Sequence, residues 1–476
     1  MRAALAGLLL LPFAGTIALA AAAGFVAGED RPGGAATNVK VRTISAFSQF
    51  SANLGFERQL DFKVGDGIFR KQWVSSPSST RSSDGLGPLF NARGCQNCHL
   101  KDGRGQPPVP GEAAVSLLLK LSVPPRTDAE RNALATHEAE ATPEPVYGGQ
   151  LQTFAVQGHD AEGQVAIDYR DEPVTLADSK TVTLRRPSYR ITDLRYGPLD
   201  PETMLSPRVA PPMIGMGLLE LIPEAEILAR ADPEDRDGDG IRGVAQTSWS
   251  RVHGRPMLGR FGWKAGAPTI ADQAAAAFAN DMGLSTPPLS LAAGDCTKAQ
   301  ASCLAAPDGR DEGEGVEVPA KMFDLVVFYA QNLAVPARPD AKKAQVLDGK
   351  RLFDEIGCAS CHTPSHVTGE DPDRPHLSRQ TIWPYTDLLL HDMGDGLADG
   401  RPEGKASGRH WRTPPLWGLG LTRTVSGHTF LLHDGRARDV LEAILWHGGE
   451  AQAARDRVVA LDARSRAALL AFLESQ

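Results

Sequence analysis

Cysteine and positive charge are both scarce in this 476-residue chain. Its 6 cysteines are too few to build a disulfide-based fold. Lys and Arg total 50 against 58 Asp and Glu, and the net charge of −8 argues against a nucleic-acid-binding protein, whose contact surface is basic. Beyond the N-terminus no uninterrupted apolar stretch approaches 18 residues, which excludes a polytopic membrane protein. The 48 Gly and 35 Pro predict many loops around modest helices.

The first residues have the features of an export signal. Arg2 is positively charged, residues 3–28 carry no charge, and Ala18-Leu19-Ala20 offers a cleavage site between small residues. We therefore expect residues 1–23 to be a secretory signal peptide and the rest of the chain to be periplasmic. The alternative is that this segment stays uncut as a membrane anchor, which its length permits. Both alternatives place the rest outside the cytoplasm.

Four of the six cysteines belong to two copies of one motif, Cys-x-x-Cys-His. The copies are Cys95-Gln-Asn-Cys98-His99 and Cys358-Ala-Ser-Cys361-His362. In this motif the two thiols form thioethers to a porphyrin and the adjacent histidine binds the iron. We predict two covalently bound haem c groups. Zinc is a poorer interpretation because no second cysteine or histidine pair lies nearby at zinc spacing, and a redox dithiol would not need the histidine.

The other two cysteines, Cys296 and Cys303, lie close together in a stretch rich in Gly, Ala and Asp. In an oxidising compartment we expect them to form a disulfide that staples this loop.

Internal similarities indicate two related units. The segments 344–356 and 462–474 have the apolar spacing of short amphipathic helices, like the two terminal helices that a small c-type cytochrome crosses. Gly65 and Phe69 repeat the spacing of Gly349 and Phe353 before the second motif. After each motif a Pro-Pro-x-x-Gly-x-Gly-Leu stretch follows, within residues 208–218 and 412–421. This repetition favours two copies of one haem-binding unit; a recurring turn is the alternative.

We therefore expect a mainly α fold, with two cytochrome c-like haem domains, long loops and a small β insertion in the N-terminal domain. The predicted domains are residues 40–335 and 340–476, joined by a linker at 336–340. Alternating polar and apolar residues at 164–169 and 181–184 predict the β insertion.

Longer stretches of the chain resemble the di-haem oxidoreductases. These are relatives of bacterial di-haem cytochrome c peroxidase and of the di-haem enzyme that matures a tryptophan-derived quinone cofactor. The resemblance covers most of the chain from about residue 45. The stretches that carry it are GLGPLFNARGCQNCH, YGGQLQ, PPMIGMGLLELIP, GRFGWKA, DMG, LLHDMGDGLADG, RTPPLWGLG, HDGR and AILWHGGEA. It implies one low-spin haem that relays electrons and one haem that presents an open iron to peroxide.

The resemblance also implies a distal ligand for the C-terminal haem. Residues 434–449 look like the stretch of the relatives that carries a distal Met or Tyr, and here they place His447 at the ligand position. Two histidines would make that iron low-spin and suited to electron transfer. Met393 is the competing ligand, and a methionine would raise the reduction potential.

Residues 259–265 and 272–283 resemble the peroxide pocket of the relatives, in which a Gln and an acid lie above the iron. In this sequence the acid is Asp281, not Glu, and it follows Gln273 by eight residues, not ten. A carboxylate there can move a proton between the two peroxide oxygens, and Arg260 can stabilise the developing negative charge. The alternative is that Asp281 caps a helix and Arg260 forms a surface ion pair. Further candidates to line this pocket are Tyr147, Gln150, Tyr189 and Arg190.

Two other features bear on cofactors and electron transfer. Asp235, Asp237 and Asp239 followed by Gly240 match the opening of a calcium loop, although position 12 is Gln246 and not Glu. We expect either a calcium ion, which the relatives also bind, or an acidic turn. Electrons could pass between the haems through Trp263, Trp417 or Trp446, although buried tryptophans more often serve as core residues.

The sequence as a whole predicts a periplasmic di-haem c-type oxidoreductase that reduces peroxide. Electrons would come from a small periplasmic cytochrome c or copper protein and pass from the C-terminal to the N-terminal haem. One alternative is a di-haem electron-transfer cytochrome without a substrate of its own. Another is an oxidase of thiols, protein side chains or ferrous iron. We expect no nucleic-acid partner.

Overall fold

The computed structural model describes residues 24–109, 111–310 and 313–476. The predicted signal peptide, residues 1–23, lies outside these ranges. Within them, no helix combines the length and apolar character that crossing a bilayer requires.

Helices and strands are interspersed along the described part of the chain. In chain order the α-helices are α1 Phe56–Phe69, α2 Cys95–Cys98, α3 Asp128–Ala135, α4 Met216–Glu220, α5 Glu224–Leu228, α6 Ile270–Met282, α7 Ala301–Leu304, α8 Ala320–Gln331, α9 Ala344–Ile356, α10 Gly394–Leu397, α11 Thr422–Ser426, α12 Val440–Leu445, α13 Gln452–Val459 and α14 Ala463–Glu474. The strands are β1 Leu89–Phe90, β2 Leu117–Ser122, β3 Phe154–Ala155, β4 Gln164–Thr175, β5 Thr181–Thr192, β6 Met204–Val209, β7 Thr247–Ser250, β8 Arg255–Leu258, β9 His366–Val367, β10 Thr381–Ile382, β11 Leu390–Asp392 and β12 His410–Arg412.

Each of the two Cys-x-x-Cys-His motifs is accompanied by a pair of helices that cross each other. In the second unit α9 packs on α14, which Asp462 caps by accepting hydrogen bonds from the backbone N–H of Arg464 and Ser465. Both helices were predicted, and α9 has the predicted bounds. In the first unit α1 packs on α8, a pair for which the sequence indicated only Gly65 and Phe69.

Glycine makes both crossings possible. A Cβ at Gly65 would lie 2.8 Å from the Cβ of Tyr329 and would also collide with the carbonyl oxygen of Leu325. A Cβ at Gly349 would lie 2.7 Å from the Cβ of Phe472. The close backbone approach at each crossing therefore depends on the missing side chain.

The expectation of a mainly α fold is wrong. Helices make up 29% of the described residues and strands 17%, distributed over several small sheets. In the described part of the chain the strands form two-stranded antiparallel sheets, which pair β1 with β3, β2 with β6, β4 with β5, β7 with β8, β9 with β10 and β11 with β12. The physical reason is that the long connections between helices carry backbone N–H and C=O groups into buried regions. These groups must find hydrogen-bond partners, and short ladders supply them.

The β insertion was predicted, but it is longer than expected. β4 and β5 each have 12 residues and pair in register along their whole length. Leu176 and Leu184 of this hairpin are buried in a core cluster that also contains Leu445 and Leu469. The hairpin therefore joins the N-terminal half of the chain to the C-terminal half.

The two Pro-Pro-x-x-Gly-x-Gly-Leu stretches pack against each other. A Cβ at Gly215 would collide with the ring of Trp417, and a Cβ at Gly418 would lie 2.6 Å from Cδ1 of Ile214. Ile214 and Trp417 each precede the glycine of their own copy. Equivalent positions thus contact each other reciprocally, as expected for two related units around an approximate two-fold axis.

The core clusters contain side chains from both halves of the chain, and the predicted boundary between residues 335 and 340 stays a prediction. Cys296 and Cys303 form the expected disulfide.

Candidate active site

Of the four motif cysteines, Cys98 is buried and the other three are partly buried. Cys95 and Cys98 begin and end the short helix α2, and Cys358 begins a 3-10 turn that follows Gly357. Burial raises the pKa of Cys95 to about 12 and of Cys358 to about 12. A redox dithiol needs a thiol with a lowered pKa. The raised pKa values of Cys95 and Cys358 argue against a redox dithiol and support the prediction that the cysteines attach a cofactor.

Both motif histidines are oriented for metal binding. The Nδ1 atom of His99 lies 2.9 Å from the carbonyl oxygen of Pro211, and Nδ1 of His362 lies 2.9 Å from the carbonyl oxygen of Tyr385. Because a carbonyl oxygen only accepts, each Nδ1 donates, and the lone pair of each Nε2 is left for a metal. Burial lowers the pKa of both rings to about 4, so both are neutral near pH 7. The residues present therefore fit a haem iron at each motif.

The aromatic packing at the two motifs is also alike. The ring of Phe69 lies 6.3 Å from that of His99, and the ring of Phe353 lies 6.2 Å from that of His362. Both pairs of rings are tilted by similar angles, 51° and 57°. The Gly-x-x-x-Phe repetition in the sequence thus corresponds to one packing arrangement used twice.

A third histidine distinguishes the second motif. His447 follows α12, is surrounded by protein, and donates from Nδ1 to the carbonyl oxygen of Ala443 at 2.8 Å. Its charge contributes to the lowered pKa of His362, after burial. Met393, the competing ligand, borders the same loop, since its carbonyl oxygen lies 3.1 Å from where a Cβ on Gly448 would be. The choice of His447 as the distal ligand stays a prediction.

A carboxylate lies beside the first motif. Asp281 is in the last turn of α6, and Nε2 of Gln150 donates to its Oδ1 at 2.8 Å. The backbone carbonyl of Asp281 accepts hydrogen bonds from the N–H groups of Asn91 and Ala92, just before the motif. α6 is capped at its start by Thr269, so Asp281 is not the N-terminal cap of this helix.

Opposing influences act on the pKa of Asp281. Burial raises the pKa of Asp281, while the positive charge of Lys120 and the hydrogen bond from Gln150 lower it. The negative charge of Asp281 in turn adds to the raised pKa of Cys95 and Cys98.

The structure does not bring the three predicted catalytic residues together. Gln273 is eight residues before Asp281 on α6, about 12 Å along the helix axis. Arg260 donates to the carbonyl oxygens of Leu219 and Ile222 at the end of α4, and so holds that helix end. Among the residues that the structure describes, it forms neither the predicted pocket contact with Asp281 nor a surface ion pair. The catalytic roles of Gln273 and Arg260 stay predictions.

Of the four further pocket candidates, Gln150 is the one that contacts Asp281. The hydroxyl of Tyr147 donates to the carbonyl oxygen of Gly197, and that of Tyr189 donates to Asp434. Arg190 pairs with Asp168 on the surface. Sequence reasoning missed Lys120, for which the available signal was one cation within the otherwise uncharged strand β2, LLLKLS.

An aromatic stack lies between the two motifs. The rings of Trp411 and His433 are parallel within 10° at 3.7 Å, and Trp263 meets His433 edge-on at 6.5 Å. Trp263 donates from Nε1 to the carbonyl oxygen of Val209, two residues before Pro211. At the other end Trp411 pairs in β12 with His391, whose Nδ1 lies 3.6 Å from Sγ of Cys361. Of the three tryptophans predicted for electron transfer, only Trp263 is in this stack.

The predicted calcium ligands cluster as expected for a cation site. One carboxylate oxygen from each of Asp235, Asp237 and Asp239 lies within 4.8 Å of the others. Gln246 does not complete the loop, because it is buried and donates to the carbonyl oxygens of Lys264 and Glu403. Calcium binding stays a prediction.

Comparison with known proteins agrees with this geometry. The family profile described as "Di-haem oxidoreductase, putative peroxidase" matches residues 25–476. No curated protein matches the chain. Among solved structures, hydrazine synthase from Kuenenia stuttgartiensis aligns over 75% of this chain and 89% of its own, with 13% identity and a TM-score of 0.28. A TM-score of this size supports no inference about fold or activity.

Proposed function

The chain belongs to the di-haem oxidoreductase family, and on that basis we propose that it is a periplasmic enzyme that reduces peroxide. In this proposal the first motif, at residues 95–99, forms the reactive site. The second motif, at residues 358–362, accepts electrons from a small cytochrome c or copper protein. The cysteines of both motifs would attach haem c covalently, and each bound haem would supply one-electron redox chemistry.

The difference between the two sites is the observation that carries this proposal. The second site includes a further imidazole, His447, which donates from Nδ1 to the carbonyl oxygen of Ala443 and whose charge influences the pKa of His362. An imidazole is a good sixth ligand for an electron-transferring iron. Beside the first motif lies a carboxylate, Asp281, held by the amide of Gln150. One site thus has the groups for electron transfer and the other has a group for proton transfer.

Reduction of hydrogen peroxide to two water molecules needs two electrons and two protons, and the O–O bond breaks. Asp281 can accept a proton from one oxygen of the peroxide and return it to the other oxygen, which leaves as water. Gln150 fixes the carboxylate by donating to Oδ1, while it is itself positioned by Oδ1 of Asn91 at 2.6 Å. A carboxylate held in this way does not need to reorient during the reaction.

The aromatic stack supports electron relay between the sites. Trp263, His433 and Trp411 form continuous ring contacts from the strand that leads to Pro211 to the strand that contacts Cys361. Electrons that arrive at the second site would therefore have a path to the first through ring contacts, hydrogen bonds and covalent bonds.

An electron paramagnetic resonance spectrum of the oxidised and half-reduced holoprotein tests the proposal. We expect two ferric signals: a low-spin signal from the second site, and a high-spin signal from the first site in at least one redox state. Stopped-flow mixing with peroxide should then reoxidise the reduced protein. Two low-spin irons in every redox state would instead support an electron-transfer cytochrome without a substrate.

A further inference from the structure

Lys120 occupies an unusual position for a lysine. It is half-buried in β2, between the buried Leu119 and Leu121, whose side chains point to the opposite face of the strand. On one side it pairs with Ser206 of β6, and on the other side it forms an antiparallel bridge with Gln150. The polar face of this small sheet therefore carries Ser206, Lys120 and Gln150 in one row.

This row leads to Asp281. Residues directly opposite each other in an antiparallel pair have side chains on the same face, with Cβ atoms about 4.5–5.5 Å apart. Gln150 reaches Asp281 from that face with a hydrogen bond of 2.8 Å. The side chain of Lys120 starts beside Gln150 on this same face.

The charges of the two groups also influence each other. Burial lowers the pKa of Lys120, and the negative charge of Asp281 is the largest influence that opposes this shift. Burial raises the pKa of Asp281, and the positive charge of Lys120 is the largest opposing influence there. Each group thus favours the charged form of the other.

Two other cations, Arg208 and Arg401, lie near this pair, and Lys120 also opposes the effect of burial on the pKa of Asp295. Arg208 and Arg401 both pair with Glu403 and compensate that carboxylate. Asp295 accepts hydrogen bonds from the backbone N–H of Gly149 and Gln150. The groups that face Lys120 or Asp281 are Asp295, Arg208, Arg401, Glu403, Cys95 and Cys98.

We propose that Lys120 is a positioning residue for the reaction, whose ammonium group favours the ionised form of the buried Asp281 carboxyl group, the form that can accept a proton. The proposal rests on the proposed function, because proton acceptance matters only if Asp281 takes part in turnover. Lys120 itself transfers no proton in this role. The motifs did not indicate Lys120, which is distant in sequence from both Gln150 and Asp281, so only the fold brings it there.

The first test is the pH profile of peroxide-dependent oxidation of a reduced electron donor by the holoprotein. In Lys120→Met the acidic limb of the profile should move up by about one pH unit or more, the usual effect of losing an opposite charge at close range. Lys120→Arg keeps the charge and should leave the limb near its wild-type position. Lys63→Met, which removes an exposed lysine from α1, is the matched control and should change nothing.

A second measurement does not depend on turnover. The oxidised holoprotein is titrated with acid while the absorption of its ferric haem groups is recorded, and the transition that disappears in Asp281→Asn is assigned to Asp281. This transition should move to higher pH in Lys120→Met. If Lys120→Met does not yield haem-loaded protein, Lys120→Gln makes the same prediction.

The two measurements separate the two proposals. A shifted transition without peroxide turnover would support the role of Lys120 and overturn the peroxidase function. Peroxide turnover with an unshifted limb and an unshifted transition would leave the function standing and overturn the role of Lys120. An equal shift in Lys63→Met, or the absence of any transition that depends on Asp281, would also overturn it.

Discussion

At the scale of single residues, one hydrogen bond decides what each motif histidine can do. Nδ1 of His99 and of His362 donates to a backbone carbonyl, which leaves Nε2 unprotonated and aimed away from that carbonyl. His447 uses the carbonyl of Ala443 in the same way. The motifs identified His99 and His362, but their carbonyl partners lie outside the motifs. Pro211 belongs to the first Pro-Pro-x-x-Gly-x-Gly-Leu stretch, whose contact with His99 the sequence did not indicate, and Tyr385 lies in a segment that no sequence pattern singled out.

Asp281 provides the sharpest prediction at this scale. Replacing Asp281 by Asn keeps its size and removes its proton affinity, so peroxide turnover should fall by about two orders of magnitude or more. Steady-state oxidation of a reduced donor measures the effect. Asp168→Asn changes an exposed carboxylate on β4 and should leave the rate unaltered. An unaltered rate in Asp281→Asn as well would remove Asp281 from the mechanism.

His447 provides a second prediction. His447→Ala removes the proposed sixth ligand, so the low-spin ferric signal of the second site should become high-spin in the electron paramagnetic resonance spectrum. His253→Ala, at an exposed histidine, is the control. If the low-spin signal persists in His447→Ala, the distal ligand is another group, and the corresponding Met393→Leu variant identifies it or excludes it.

At the scale of secondary-structure elements, the sequence predicted elements whose pattern lies within one local segment or hairpin. α9 and α14 follow from their own apolar spacing, because a helix pairs its backbone groups within one segment. β2 and β6 were missed, since a strand needs a partner and theirs is a distant segment of the chain. The same dependence on partners made the expectation of a mainly α fold wrong.

The crossing of α1 and α8 can be tested with two glycines of one helix. Gly65→Ala places a methyl group against Leu325 and Tyr329 and should cost about 1–3 kcal/mol of unfolding free energy. Gly67→Ala has open space around its Cβ and should stabilise the same helix by about 0.5–1 kcal/mol. Denaturant unfolding of the holoprotein compares the two. Equal effects would mean that α1 does not cross α8 at Gly65.

At the scale of the whole molecule, buried ion pairs join distant segments of the chain. Arg208 of β6 pairs with Glu403 at 2.6 Å, and Lys264 pairs with Asp399 at 2.9 Å, all with side chains at most 10% exposed. Arg401 also contacts Glu403. Ion pairs that have little contact with water therefore hold these segments together. Breaking one pair leaves an uncompensated buried charge.

Glu403 tests this connection. Glu403→Gln leaves two arginines without their carboxylate and should cost about 3–5 kcal/mol of unfolding free energy. Burial raises the pKa of Glu403, but Arg208 and Arg401 outweigh burial and hold it well below its usual range. The wild type should therefore keep this stability above about pH 4 and lose it as the pH falls further.

Unfolding curves of the holoprotein, recorded from about pH 7 down to about pH 3, should thus be less pH-dependent in Glu403→Gln than in the wild type. Glu234→Gln, which affects an exposed pair with Arg236, should leave stability within error of the wild type. An acid dependence that is the same in Glu403→Gln would show that this carboxylate does not contribute to it.

The sequence by itself determined the two haem motifs and the family, because covalent attachment and axial ligation use residues that are adjacent in the chain. It also determined the helices whose periodicity is internal. Only the tertiary structure decided that Gln150 reaches Asp281, 131 residues away, and that Lys120 lies beside Gln150. These contacts depend on strand register and on the burial of charge, and both arise only when distant segments pack together.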